Sequence, residues 1–218
     1  MGEMVRFGRR RDAAVGYQVA SQRAGPGVLV IPDAFGLTPH VKSFADRLNR
    51  DDLFTAIAFD LYDGATAAHR DEALALRDSM DRARVIAKLE AAADHLTANW
   101  HPRLGVVGFS VGAALAVALA QTIDIEATVV YYGCDDVDHA RWRGPALGHF
   151  AANDDAPDPA EAKGFVDAVL AVGEEADMHV YEGVGHGFAN QDRPGSFDAG
   201  SAELAYRRTR DFLRHHLA

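Results

Sequence analysis

Short apolar runs alternate with longer amphipathic segments along most of the chain. Runs rich in β-branched residues predict strands, whereas apolar residues spaced three or four positions apart predict helices. The predicted strands cover residues 15–20, 28–32, 54–59, 104–109, 127–132, 146–152 and 176–181. The predicted helices cover residues 38–50, 111–120, 159–172 and 201–216, with one or two more between residues 70 and 99. This alternation predicts an α/β protein with helices on both faces of a mostly parallel central sheet.

The apolar character of individual segments indicates where they lie. Residues 28–32 form a continuous apolar run, which is typical of a strand buried on both faces of a sheet, whereas residues 15–20 are suited to an edge strand. The helix predicted for residues 111–120 is strongly apolar and must therefore pack against the sheet. We expect a single domain over residues 1–218, with residues 1–11 as a loosely ordered N-terminal extension.

Composition and charge narrow the possible functions. Hydrophobic residues make up 48% of the 218 residues and charged residues 25%, as in ordinary globular proteins. The formal net charge of -10 disfavours nonspecific attraction to nucleic acid or to anionic membranes. No apolar run approaches the roughly 20 residues that a membrane-spanning helix needs. We therefore expect a soluble, cytoplasmic monomer or homodimer that binds neither nucleic acid nor membranes.

The cysteine and histidine content limits the possible cofactors. Cys134 is the single cysteine, so the chain can form neither an internal disulfide nor a thiolate metal cluster, and we expect a buried core thiol. No two histidines have the spacing of metal ligands, and no glycine-rich phosphate-binding loop follows the early strands. The sequence therefore predicts neither a metal nor another cofactor.

A Gly-x-Ser-x-Gly motif lies between a predicted strand and a predicted helix, with Ser110 at its centre. A serine hydroxyl is a weak nucleophile that needs a base, an exposed position and donors for the oxyanion that it creates. The two glycines allow a sharp turn, and the Val111 amide at the start of the helix can donate to an oxyanion. The alternative interpretation is a plain tight turn that contains a serine. We predict the nucleophile of an α/β-hydrolase.

Candidates for the acid and the base follow later strands in the order typical of this fold. Asp154 comes after the strand predicted for residues 146–152, and Asp155 and Asp158 are close rivals in what could also be a solvated loop. His186 lies in a glycine-dense loop after the last predicted strand, which would let its ring reach a neighbouring strand end. The sequence therefore predicts a triad of Ser110, Asp154 and His186.

Several short motifs in a fixed order resemble the dienelactone hydrolase family. They are Pro32-Asp33-Ala34-Phe35-Gly36-Leu37, Pro39-His40, Asp60-Leu61-Tyr62, Tyr131-Tyr132-Gly133, His149-Phe150 and Gly185-His186-Gly187-Phe188-Ala189. The resemblance implies an α/β-hydrolase that cleaves esters or lactones. It places the family's catalytic cysteine on Ser110, its triad aspartate on Asp154, its triad histidine on His186 and its oxyanion amides on Ala34 and Val111.

Departures from the family pattern concern the nucleophile and the substrate pocket. Founding members carry a thiol where this chain has the Ser110 hydroxyl, and a glutamate where it has the shorter Asp33. Of their two substrate-binding arginines, Arg70 is the counterpart of the first, but Asn190 stands where the second is expected. The resemblance therefore implies a pocket that includes Phe35, Arg70 and Asp33, with a structural hydrogen-bond acceptor as the alternative role for Asp33. It leaves two substrates equally open, dienelactone and a different small ester or lactone.

Three functions are compatible with these residues. The favoured one is hydrolysis of small esters or lactones through an acyl-enzyme on Ser110, with the Ala34 and Val111 amides binding the oxyanion. A catalytically silent hydrolase fold that binds a ligand or a partner is a second possibility, since a fold does not guarantee its chemistry. Acyl transfer or perhydrolysis at the same site is the third.

Overall fold

The computed structural model describes residues 2–8, 13–20, 25–99, 101–154 and 156–218. Within these ranges eight strands form one sheet, and they are β1 (Glu3–Phe7), β2 (Ala14–Val19), β3 (Gly27–Ile31), β4 (Thr55–Phe59), β5 (Leu104–Phe109), β6 (Ala127–Tyr131), β7 (Ala146–Asn153) and β8 (Ala176–Gly185). The same ranges contain the helices α1 (Pro39–Asp52), α2 (Arg70–Asp78), α3 (Arg82–Asn99), α4 (Val111–Leu119), α5 (Pro159–Ala171) and α6 (Ala199–Leu217).

The strands lie in the order β1, β2, β4, β3, β5, β6, β7, β8 across the sheet. β2 pairs antiparallel with both β1 and β4, and every other neighbouring pair is parallel. This order confirms the predicted α/β architecture with a mostly parallel sheet. The parallel strands all end at one edge, where the loops that follow β3, β5, β7 and β8 meet.

The amino-terminal segment differs from its prediction. Glu3–Phe7 forms β1 and pairs with β2 in register, so the expectation of a loosely ordered extension is wrong for these residues, while residues 9–12 lie outside the described ranges. β1 is the edge strand, and β2 is the second strand of the sheet. The reason is that Phe7, which is 4% exposed, packs against Phe59 with ring centroids 6.3 Å apart and anchors a strand whose other residues are exposed or only partly buried.

Two apolar cores lie on opposite faces of the sheet, because successive side chains of a strand point to opposite sides. Leu29 and Ile31 of β3 face the core that α3, α4 and α5 cover, whereas Val28 and Val30 face the core beneath α1 and α6. This two-sided burial explains the continuous apolar run of β3. Among the helices described, none has the length and apolar character needed to cross a membrane.

Candidate active site

The predicted site residues follow the carboxyl ends of four parallel strands. Asp33 and Ala34 come after β3, Ser110 follows β5 directly, Asp154 follows β7 directly and His186 follows β8 directly. β7 and β8 extend to Asn153 and Gly185, further than their apolar runs indicate, and these extensions carry Asp154 and His186 toward Ser110. All five residues border one cleft of about 1250 Å³.

Ser110 occupies a strained turn between β5 and α4. Its backbone angles, φ 53° and ψ -117°, are uncommon for a residue with a side chain, and its N–H donates to the carbonyl oxygen of Tyr131 at 2.9 Å. A Cβ at Gly108 would lie 2.2 Å from the Gly112 carbonyl oxygen, and a Cβ at Gly112 would lie 2.3 Å from the Pro32 carbonyl oxygen. Both glycines are therefore required for the turn that presents Ser110.

Three side chains form a continuous chain of hydrogen bonds. The Ser110 Oγ lies 2.9 Å from the His186 Nε2, and the His186 Nδ1 lies 2.9 Å and 3.2 Å from the two carboxylate oxygens of Asp154. The Asp154 side chain is only 4% exposed, whereas the His186 ring is 44% exposed. A carboxylate accepts a hydrogen bond from Nδ1–H, which leaves Nε2 free to accept the Ser110 hydroxyl proton.

The rival aspartates have different positions. Asp158 is the N-cap of α5, where its carboxylate accepts hydrogen bonds from the backbone N–H groups of Ala160 and Glu161. Asp155 lies outside the described residues. Asp154 also accepts a hydrogen bond from the Ala156 N–H at 3.1 Å, which helps to anchor its carboxylate.

Two backbone amides beside Ser110 are available to a developing negative charge. Those of Ala34 and Val111 both border the cleft, and within the described part of the chain neither N–H donates a hydrogen bond to another group. Val111 is also the first residue of α4, where the helix dipole places partial positive charge. These amides have the unused hydrogen-bonding capacity that an oxyanion hole requires.

The hydrogen bonds of the Asp33 carboxylate go to residues other than Ser110. Its carboxylate accepts hydrogen bonds from the Phe35 N–H at 3.0 Å and from the Asn190 side-chain amide at 2.8 Å, and no hydrogen bond to Ser110 is found among the described residues. Burial raises the pKa of Asp33 above its usual range, while these two donors lower it. Asp33 is therefore an anchored acceptor beneath the cleft.

Arg193 is a cleft residue that the sequence motifs do not identify. Its guanidinium lies over the Phe35 ring, with Cζ 2.9 Å from the ring centroid, and it donates to the Ala68 carbonyl oxygen at 3.1 Å. Arg70, at the start of α2, and Arg77 also border the cleft. The only sequence signal for Arg193 is its place three residues after Asn190, where family patterning led us to expect an arginine.

Cys134 differs from its prediction as a core thiol. It is half-buried and borders the cleft, because β6 ends at Tyr131 and Cys134 belongs to the loop beyond the strand. Burial and then the nearby carboxylates, Glu161 first, raise the pKa of the thiol to about 12. The thiol therefore stays protonated at neutral pH, which makes it a poor nucleophile. In the described ranges, no cluster of three or more side chains is placed to hold a metal ion.

His40, beneath the cleft, makes stability depend on pH. Burial lowers the pKa of His40 to about 4, and the charge of Asp192 only partly opposes this effect. At about pH 5 the unfolded chain binds a proton on His40 that the folded protein excludes. The contribution of His40 to the unfolding free energy is therefore fully present above pH 6.5 and is lost as the pH falls toward 4. The difference between a pKa of 6.5 and about 4 corresponds to about 3 kcal/mol of unfolding free energy.

Urea unfolding of the parent and of His40→Phe at several pH values between 7 and 4 tests this effect. Other titrating groups are common to both proteins and cancel in the difference. The parent should lose about 3 kcal/mol more than the variant over this range. Parallel pH profiles for the two proteins would contradict the assignment to His40.

Sequence comparisons relate the chain to known proteins. A sequence model of the dienelactone hydrolase family matches residues 13–217. Protein usf of Aquifex pyrophilus is 29% identical, with 100% of both chains covered, and the carboxymethylenebutenolidase of Rhodococcus opacus is 26% identical, with 93% of this chain and 87% of the other covered.

Solved structures of low sequence identity share the fold. A dienelactone hydrolase-like promiscuous phosphotriesterase from metagenomic libraries has a TM-score of 0.88 at 22% identity, with 100% of this chain and 99% of the other covered. A dienelactone hydrolase described from Klebsiella pneumoniae has a TM-score of 0.85 at 21% identity, with 98% of each chain covered. These likenesses confirm the predicted α/β-hydrolase fold.

Proposed function

Because the chain belongs to the dienelactone hydrolase family and is a hydrolase of the esterase or lactonase kind, we propose that Ser110, His186 and Asp154 cleave small esters or lactones through an acyl-enzyme. The observation that carries this proposal is the continuous chain of hydrogen bonds from Ser110 through His186 to Asp154, with the two short contacts at 2.9 Å. A serine, a base and a buried carboxylate in this order are the components of base-assisted nucleophilic catalysis.

The proposed reaction begins with proton transfer from the Ser110 hydroxyl to the His186 Nε2 as the oxygen attacks the substrate carbonyl carbon. The carbonyl π electrons move to oxygen, and the resulting oxyanion accepts hydrogen bonds from the Ala34 and Val111 amides. The tetrahedral intermediate collapses, the bond to the leaving oxygen breaks, and His186 returns the proton to that oxygen. A water molecule then repeats the sequence on the acyl-enzyme and regenerates Ser110.

The shape and charge of the cleft favour a small substrate. The cleft volume of about 1250 Å³ suits a small molecule, and the exposed edge of His186 leaves its reacting nitrogen accessible. Relatives carry names that specify unsaturated lactones, such as the carboxymethylenebutenolidase of Pseudomonas putida, which is 27% identical. Asn190 stands where those enzymes are expected to carry a cation, and its neutral amide is buried and bonded to Asp33, so we propose a wider class of esters and lactones.

Covalent labelling tests this proposal directly. A fluorophosphonate probe should label the native protein, and peptide mapping should place the adduct on Ser110. Labelling should disappear after heat denaturation, and the protein should hydrolyse p-nitrophenyl acetate and small lactones. Ser196→Ala is the matched control, because Ser196 also borders the cleft but contacts the Arg193 carbonyl oxygen instead of His186. Absence of labelling at high probe concentration would favour a silent binding protein.

A further inference from the structure

We propose that the buried hydrogen bond between Asn190 and Asp33 is a positioning link, which holds the oxyanion amide of Ala34 in register with the base His186. This inference rests on the proposed function and adds two positioning residues to it. Neither residue contacts the reacting hydroxyl of Ser110 by a hydrogen bond in the described ranges. Their role would be to fix two loops relative to each other.

The link joins loops that are far apart in sequence. The Asn190 Nδ2 donates to the Asp33 Oδ2 at 2.8 Å across 157 residues of chain, and the two residues are only 1% and 6% exposed. Asp33 belongs to the loop after β3 that contains Ala34, and Asn190 belongs to the loop after β8 that begins with His186. A buried hydrogen bond to a charged group is among the stronger noncovalent contacts in proteins.

On the β3 side, Asp33 fixes the turn that contains the Ala34 amide. Its second carboxylate oxygen accepts from the Phe35 N–H at 3.0 Å, and its backbone carbonyl oxygen accepts from the Gly36 N–H at 3.0 Å. Ala34 lies inside both of these hydrogen-bonded rings. Rotation of the Asp33 side chain would break the first of these two bonds and loosen the turn that holds the Ala34 N–H.

On the β8 side, both the backbone and the side chain of Asn190 form hydrogen bonds within the loop. Its backbone N–H donates to the Gly187 carbonyl oxygen at 2.9 Å, one residue after His186, and its side-chain oxygen accepts from the Asp192 N–H at 2.9 Å. Only the amide orientation that points NH₂ toward Asp33 satisfies all these contacts. The hydrogen bonds thus run without interruption from the His186 loop to the Ala34 turn.

Charge complementarity makes the link testable by exchange of its two groups. Asp33 accepts two hydrogen bonds and donates none, while Asn190 donates one and accepts one with its side chain. In Asp33→Asn, a single amide oxygen faces two donors, so one hydrogen bond is lost. In Asn190→Asp, two carboxylates meet at hydrogen-bond distance, and the bond survives only while they share a proton.

The double exchange Asp33→Asn/Asn190→Asp keeps every hydrogen bond. The new amide at position 33 accepts from Phe35 and donates to the new carboxylate at position 190, whose other oxygen accepts from the Asp192 N–H. We expect each single variant to lose about 10- to 100-fold in kcat with little change in KM, since a displaced oxyanion donor weakens the transition state more than the ground state. The double variant should recover to within about threefold of the parent.

The pH dependence gives a readout that a purely structural role would not produce. For Asn190→Asp, the ratio of its kcat to that of the parent should rise as the pH falls and decline as the pH rises, because the shared proton is lost at high pH. Asp33→Asn should show a constant ratio.

Tyr206→Phe is the matched control. It deletes a hydrogen bond of the same kind, which the largely buried Tyr206 hydroxyl donates to the Asp51 carboxylate at 3.0 Å. This hydrogen bond plays no part in the cleft. It should lower the thermal midpoint and leave kcat unchanged. Single variants that keep kcat within twofold of the parent, or a double variant that fails to recover although it folds, would overturn the link.

Failure of this inference is distinguishable from failure of the proposed function. If Ser110→Ala retains turnover, the proposed nucleophile is wrong. If Ser110→Ala is inactive while Asn190→Asp is as active as the parent at every pH, only the positioning link is wrong. Should Asp33→Asn fail to fold, the pH-dependent ratio of Asn190→Asp and the recovery in the double variant still decide the question.

Discussion

Replacement of Ser110 with alanine is expected to reduce kcat for a small aryl ester by at least about 10⁴-fold, which is the scale seen when a serine nucleophile is deleted. The Ser110 Oγ is the atom that lies 2.9 Å from the His186 Nε2, and alanine has no atom that can form an acyl-enzyme. Residual turnover would come only from substrate binding and from the Ala34 and Val111 amides.

The fold should tolerate Ser110→Ala. The strain at φ 53° belongs to the backbone and is the same for serine and alanine, and the glycine neighbours that permit the turn are unchanged. The measurements are steady-state kinetics with a chromogenic ester, thermal unfolding and fluorophosphonate labelling. Ser196→Ala should match the parent in all three. More than a tenth of the parental kcat in Ser110→Ala would exclude Ser110 as the nucleophile.

Much of the fold could be predicted from local sequence because its central strands are buried on both faces. Continuous apolar runs identify β3, β5 and β6 with small errors at their ends. β8 was predicted too short because the residues that extend it to Gly185 are mostly exposed at the sheet edge, where no apolar pattern marks them. β1 lacks a clear apolar pattern for a similar reason, since Phe7 is its only fully buried residue.

The turn at Ser110 was predictable because its requirements are local. Gly108 and Gly112 are needed because a Cβ at either position would collide with the backbone. Both glycines belong to the Gly-x-Ser-x-Gly motif, so the sequence motif identifies the turn. Contacts between loops that are far apart in sequence have no local motif that would predict them. Arg193 reaches Phe35 and Asn190 reaches Asp33 only after the loops following β3 and β8 have been brought together by the sheet.

The sequence favours Asp154 among the aspartates after β7, but it leaves Asp155 and Asp158 as rivals because all three occur in one polar segment. The length of β7 makes the distinction: it places Asp154 at the strand end facing His186, whereas Asp158 is used to cap α5. The proposed assignment of Asp154 therefore rests on tertiary geometry, and it is open to a direct test that compares the aspartates.

Asp154→Asn should reduce kcat by about 10⁴-fold with little loss of stability, because it changes the tautomer of His186 and not its position. The carboxylate of Asp154 accepts from the His186 Nδ1–H, which leaves Nε2 as the acceptor for the Ser110 proton. An asparagine that keeps accepting from the Ala156 N–H would turn its NH₂ toward Nδ1. The proton would then move to Nε2, where it prevents His186 from acting as a base.

The matched comparison is Asp158→Asn, because asparagine is as good an N-cap as aspartate and the α5 contacts should survive. Its kcat should stay within about twofold of the parent, as should that of Asp155→Asn. Kinetics at pH 7 to 9 with thermal unfolding on the same samples would measure both effects. If the loss of kcat appears in Asp158→Asn or Asp155→Asn and Asp154→Asn remains active, the acid of the site lies elsewhere in this loop, and the His186 tautomer is set by a different contact.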